Sequence, residues 1–235
     1  MVRQADPGPD AGLPDPSASS PGAAGGSLSV PRRLDPFYCM TKRLVDLVGS
    51  SAGIAICLLP WAVAAVLIKF ESPGPVFFIQ DRVGEHGRRF RFFKLRTMFV
   101  DAEARKALLE HENEMDGPVF KMRHDPRITR TGRFLRRFSL DETPQLLHVF
   151  LGQMSLVGPR PPLVNEVARY EPWMTERLSV RPGLTCIWQV SGRNEVPFEV
   201  WVQMDIDYIR HRNLGLDLKL LCRTIPAVLS GRGAY

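Results

Sequence analysis

The run from Leu47 to Ile68 constrains this chain more than any other stretch: it is 22 residues long and carries no charge. As a helix it extends about 33 Å at 1.5 Å per residue, enough to cross a bilayer's hydrocarbon. A fully buried helix of a soluble domain is the competing reading, and the length rule favours the membrane. Pro60 stands near the middle of the run, where it removes one i to i−4 hydrogen bond and costs about 3 kcal/mol in an ordinary helix interior. It is expected to bend or break the helix, giving either a kinked span or a re-entrant hairpin that returns to the same side. Lys42 and Arg43 precede the run, and Lys69, Arg82, Arg88, Arg89 and Arg91 follow it. Basic residues at both ends favour the hairpin with both ends cytoplasmic. Asp46 is expected at the interface or paired with a local cation.

Residues 1–35 read as a polar tail rich in Pro, Gly, Ala, Ser and Asp, unable to bury enough surface to offset chain entropy. No apolar stretch follows a basic start there, so a secretory signal is not expected. Residues 36–235 suit one domain, and a hydrophobic fraction of 44% supplies a core. The excess of 31 Lys+Arg over 25 Asp+Glu fits nucleic acid, anionic lipid or phosphorylated ligands. Cys39, Cys57, Cys186 and Cys222 lack zinc spacing, so reduced thiols on a cytoplasmic face are expected, with Cys57 and Cys222 as small buried hydrophobes.

After the apolar run, the Pro-Gly turn, the apolar residues 76–79, the turn Gly84–Gly87 and the alternation Phe90, Phe92 read as a β-hairpin. It presents Lys94 and Arg96, either as a solvated strand edge or as phosphate ligands. Residues 100–113 read as a surface helix. Residues 120–137 interleave Arg123, Arg127, Arg130, Arg133, Arg136 and Arg137 with Ile128, Phe134 and Leu135, which suits a helix lying in the headgroup layer. Nucleic acid is the competing partner, and the neighbouring membrane element sets it aside: no nucleic acid is expected. Residues 164–178 read as helical, 180–194 as a loop with Arg181, Gln189, Arg193 and Asn194 available to a nucleotide or as structural turns, 198–210 as an amphipathic helix with Asp205 and Asp207, and 214–229 as an apolar helix lying at the surface. The fold class is α+β and mainly helical, anchored by a Pro-broken re-entrant helix at about 44–69, with a small β-hairpin and interfacial amphipathic helices.

The chemistry is expected between Phe138 and Pro162. Asp141 and Glu142 stand where a helix should begin, and Gly-Pro-Arg-Pro follows after roughly one helix length. A carboxylate there can ligate magnesium, and Arg160 can clamp phosphate with its planar fork. Ser139 and Glu142 equally match the S-x-x-E capping box of an ordinary helix, so the residues alone leave both readings open.

The order Lys42-Arg-x-x-Asp46, Ser72-Pro-Gly-Pro75, Phe93-Lys-Leu-Arg-Thr-Met98, Ser139-Leu-Asp-Glu142, Pro144-Gln-Leu146, Met154-Ser-Leu-Val-Gly-Pro-Arg-Pro161, Val180-Arg-Pro-Gly183 and Gln189-Val-Ser-Gly-Arg-Asn194 resembles the bacterial monotopic phosphoglycosyl transferases, over about residues 36 to 230. The resemblance implies transfer of a sugar phosphate from a UDP-sugar to undecaprenyl phosphate at the start of exopolysaccharide or other surface glycan synthesis, with UMP released. It implies Asp141 as nucleophile and Glu142 as the magnesium ligand, Asp141 lying beside the metal. Arg160, Lys94, Arg193, Asn194 and Gln189 would contact phosphate or nucleotide, with Asp205 and Arg137 as further candidates. The segment between Met98 and Arg127 resembles the hexose-phosphate type, which implies UDP-glucose or UDP-galactose. The implied location is the bacterial inner membrane, with the catalytic domain on its cytoplasmic face; a homo-oligomer stays open. The chain departs from the family in having Leu59 before Pro60 where a serine is frequent. An inactive basic membrane scaffold of the same fold is the alternative.

Overall fold

The computed structural model describes residues 35–114, 120, 122, 124–191 and 196–231. Its longest element, α1 (Pro36–Glu71), starts where Asp35 accepts a hydrogen bond from the Phe37 N–H at 2.9 Å, with proline at the first helical position. It stops at Ser72, whose helical conformation the following Pro73 disfavours. The expected break does not occur: α1 continues through Pro60 as one element. One residue past that proline, Trp61 Nε1 donates to Thr143 Oγ1 at 2.7 Å, which fixes the helix there to the rest of the chain.

One stripe of α1 faces the rest of the chain, at the three- and four-residue spacing of a single helix face. Gly49 and Gly53 lie on it, where a Cβ would sit 2.7 Å from Leu156 and 2.8 Å from Leu146. Asp46 is neither interfacial nor ion-paired: it is buried and accepts from Ser155 Oγ at 3.0 Å and the Leu156 N–H at 2.8 Å. The opposite face is apolar and bare, with Ile56 75%, Leu59 73% and Phe70 88% exposed.

The hairpin forms as expected from β1 (Phe77–Val83) and β2 (Arg89–Leu95), antiparallel with Phe77 opposite Leu95 and Val83 opposite Arg89. Its turn uses left-handed φ at His86 and Gly87. The single helix expected over 100–113 is instead α2 (Ala102–Lys106) followed by 3-10 turns. Among the described residues of 120–137 the helix is α3 (Arg130–Arg137), since Thr129 accepts from the Gly132 N–H at 2.9 Å and so starts it late. Arg127 is buried in an ion pair with Asp125 at 2.7 Å, facing the interior and away from any headgroup layer. Glu71, the last residue of α1, accepts from the N–H groups of Arg130 at 2.6 Å and Thr131 at 2.8 Å, so the end of α1 caps α3.

The chain continues through α4 (Leu146–Phe150), β3 (Ser155–Val157) and α5 (Val164–Val167). The helix expected over 164–178 ends after one turn of α5, and a 3-10 segment takes over at Pro172. Next come β4 (Gly183–Thr185), parallel to β3, then α6 (Ile187–Ser191), α7 (Phe198–His211) and α8 (Leu214–Ser230), the last two as expected. Val149, Met154, Val157, Tyr208 and Leu220 form the core between α4, the parallel pair and the last two helices. Asp217 of α8 pairs with Lys42 at 2.9 Å and accepts from Tyr38 at 3.0 Å, which ties the start of α1 to the same body that its end caps. Cys222, expected inside, is exposed on α8.

Candidate active site

The end of α3 decides how the acidic pair is presented. Ser139 takes φ of +53°. Its N–H donates to the Arg136 carbonyl at 3.0 Å and the Leu140 N–H donates to the Leu135 carbonyl at 2.9 Å. This is a Schellman stop with serine in the left-handed position that glycine usually fills. Ser139 therefore closes the preceding helix, and Glu142 makes no capping bond to the 3-10 turn that follows. The capping-box reading falls, and the two acids stand in a tight connection with their carboxylates free for other partners.

They open onto a cavity of about 410 Å³. Its charged end is built by Lys94 of β2, Arg136 of α3, Asp141, Glu142 and Arg160; its apolar wall includes Leu184, Leu221 and Val228. Three cations against two carboxylates leave this end net positive, the right sign for a diphosphate. Glu142 and Arg160 are 3.9 Å apart, a loose ion pair that leaves both side chains hydrogen-bonding capacity for a ligand.

The main chain fixes Asp141, whose carbonyl accepts from the Leu95 N–H at 3.0 Å, at the end of β2. Burial, and then the adjacent Glu142 charge, raise its carboxyl above the usual range, while Lys94 and Arg136 pull it down. Burial, and then the Arg136 charge, push the Lys94 ammonium down to about 8. Arg136 is itself aimed by a second contact, Nε donating to Thr97 Oγ1 at 3.0 Å.

Asp141, Glu142, Lys94, Arg160 and Gln189 are thus brought together, Gln189 also accepting from Cys186 Sγ at 3.3 Å. Arg193 and Asn194 lie outside the described residues. Two further candidates are corrected. Arg137 is exposed and is not among the residues lining the cavity, where Arg136 stands instead. Asp205 is fully buried in an ion pair with Arg177 at 2.7 Å, out of reach of a metal or sugar in the cavity. The signal for Arg136 was present in the sequence: it shares with Gly132 and Leu135 the i, i+3, i+4 face that packs inward.

The description "Bacterial sugar transferase" matches residues 37–231, which cover every element described above except the first residue of α1. The chain belongs to this family. Among curated relatives, the galactosyl transferase CpsE of Streptococcus agalactiae is 44% identical over 199 residues, which is 84% of this chain and 44% of the relative. The undecaprenyl-phosphate galactose phosphotransferase of Salmonella typhimurium is 40% identical over 201 residues, 83% of this chain and 41% of the relative. The exopolysaccharide production protein ExoY of Rhizobium meliloti is 36% identical over 207 residues, 85% of this chain and 90% of the relative. This sugar transferase family member therefore spans less than half the length of the first two relatives and most of the third.

Proposed function

We propose that this chain transfers a sugar 1-phosphate from a UDP-sugar to undecaprenyl phosphate, in two displacements through Asp141. The carrying observation is a buried nucleophile-type carboxylate beside a second carboxylate, facing three cations across one cavity. In the first step a carboxylate oxygen of Asp141 attacks the sugar-bearing phosphorus, the bond to the bridging oxygen breaks, and UMP leaves. In the second, a phosphate oxygen of the lipid attacks the same phosphorus and frees Asp141, giving a polyprenyl diphosphate sugar. Lys94, Arg136 and Arg160 hold the diphosphate and stabilise charge on the leaving UMP.

Magnesium fits this donor set. It favours one or two carboxylates completed by substrate phosphates and water, and among the described residues no cluster of three or more His, Cys, Asp or Glu offers a protein-only cage. Glu142 would hold it, with Asp141 alongside, and it would neutralise diphosphate charge.

The relatives named for galactose support UDP-galactose as donor, with UDP-glucose the other hexose expected. A relative named for N-acetylgalactosamine, 36% identical, makes the donor a matter for a screen. The bare apolar face of α1 and its basic flanks support an inner-membrane location with the catalytic body on the cytoplasmic face.

The test is incubation with donor alone followed by mass spectrometry, which should find a hexose phosphate on residue 141 and stoichiometric UMP. Asp141→Asn should release no UMP. It should melt no lower than wild type: the folded chain holds the Asp141 proton more tightly than the unfolded one, so ionising it at neutral pH subtracts stability that asparagine restores. UMP release by that variant would refute the assignment, and silence with every donor would leave the scaffold reading.

A further inference from the structure

The segment Pro159-Arg160-Pro161-Pro162 contains three prolines, which lack an N–H. Such a turn has to be held largely through its carbonyls. All four are engaged by other elements. The Pro159 carbonyl accepts from the Gly183 N–H at 2.8 Å and that of Pro162 from the Val83 N–H at 3.0 Å. The other two accept from guanidinium groups: Arg160 from Arg177 Nη2 at 3.3 Å, and Pro161 from Arg82 Nη1 at 2.8 Å.

Both arginines are buried, and neither lines the cavity. Arg177 is oriented by Asp205, whose Oδ2 accepts from Arg177 Nε at 3.0 Å and from Trp201 Nε1 at 3.1 Å, while its other arm donates to the Tyr170 hydroxyl. Arg82 lies 5.1 Å over the Phe92 ring, and its Nε has no hydrogen-bond partner among the described residues. Burial and then the Arg160 charge lower its pKa to about 10. Apolar side chains would fill these volumes without the desolvation cost of a buried charge. What a guanidinium adds is a directed donor to a carbonyl that no neighbouring amide reaches.

We propose that Arg82 and the Arg177–Asp205 pair are positioning residues that hold the proline-bound turn from behind, so that the Arg160 guanidinium faces the donor diphosphate. This rests on the reading of Arg160 as a phosphate ligand. The arrangement separates two tasks: Arg160 touches substrate, and the buried arginines act only through its main chain.

The test uses the full chain in nanodiscs with Arg177→Lys, Arg82→Lys and Asp205→Asn, alone and combined with Arg160→Ala. Lysine keeps the charge but gathers its donors on one nitrogen, which at position 177 cannot span both Asp205 and the Arg160 carbonyl, and at position 82 lacks the planar fork that aims Nη1 at the Pro161 carbonyl. Expected is a rise in KM for the UDP-sugar of about tenfold in each single variant, with little further loss in the Arg160→Ala background. Hydrogen exchange over residues 155–165 should quicken, while that over α3 stays unchanged. Trp201→Phe, which removes one bond to Asp205 and keeps an aromatic ring, gives the same readouts more weakly and serves if a stronger variant melts below the assay temperature. Losses that add to that of Arg160→Ala, or wild-type KM and exchange in the folded variants, would overturn the proposal. Quickened exchange together with wild-type KM in Arg160→Ala would instead refute the phosphate role of Arg160 and leave the positioning of the turn intact.

Discussion

Ser139 sits in the left-handed region directly before Leu140 and the acidic pair, at the position where a Schellman stop favours glycine. A Cβ in that conformation costs about 1 kcal/mol, so Ser139→Gly should stabilise the chain by about that amount, raising Tm by roughly 2–4 °C in a thermal melt. Lys94 carries the second residue-scale prediction. Its ammonium is lost as pH passes about 8, which removes one of the three cations at the charged end of the cavity. The value of kcat/KM should hold up to that pH and then fall by about tenfold per pH unit; Lys94→Arg, which stays charged, should move the fall to higher pH. Legibility at this scale was uneven for a physical reason. Asp141 and Glu142 stand out as adjacent acids between a basic helix and a proline turn, whereas Arg136 and Arg137 differ only by about 100° of helix rotation. The buried Arg82 and Arg177 gave no local signal, because what recruits them is a carbonyl distant in sequence.

Among the elements, the hairpin and the last two helices were legible because each carries its own periodicity and its own stops, such as Asn213 accepting from the Leu216 N–H at 3.0 Å at the start of α8. The segments over 100–113, 120–137 and 164–178 were not. The start of α3 depends on Glu71, 59 residues away, as well as on Thr129, and capping at that distance leaves no trace in a local window; in the third segment the 3-10 turns start at Pro172. The docking of α1 is an element-scale property that rests on small residues. A side chain at position 53 must displace Leu146, which only Thr143, Pro144 and Gln145 separate from the acidic pair. Gly53→Val should therefore lower stability by about 1–3 kcal/mol and reduce UMP release, while Ile56→Val, on the bare face, should leave both near wild type. Melting and single-turnover UMP release, measured on the same preparations, check this.

At the scale of the whole molecule, the question is how one apolar helix meets the bilayer. At 1.5 Å per residue α1 is about 54 Å long, yet its start is tied to Asp217 and its end caps α3 on the same body. Between those points Asp46, Gly49, Gly53 and Trp61 all touch that body. A span placing the two ends on opposite sides would tear this stripe away and strand the buried Asp46 carboxylate without its two donors, a cost of several kcal/mol. Lying in the lipid surface, the helix keeps its stripe and covers Ile56, Leu59 and Phe70, each worth about 1.5–3 kcal/mol when withdrawn from water. In that placement the Trp61 bond to Thr143, two residues after Asp141, would keep the acidic pair close to the lipid surface. In a variant with Cys57, Cys186 and Cys222 replaced by alanine, the native thiol at Cys39 and an introduced Pro73→Cys should both react with an impermeant reagent added to inside-out vesicles and neither in intact cells. Reaction of the two on opposite sides would require a span, and with it the loss of every contact that holds α1 against the catalytic body.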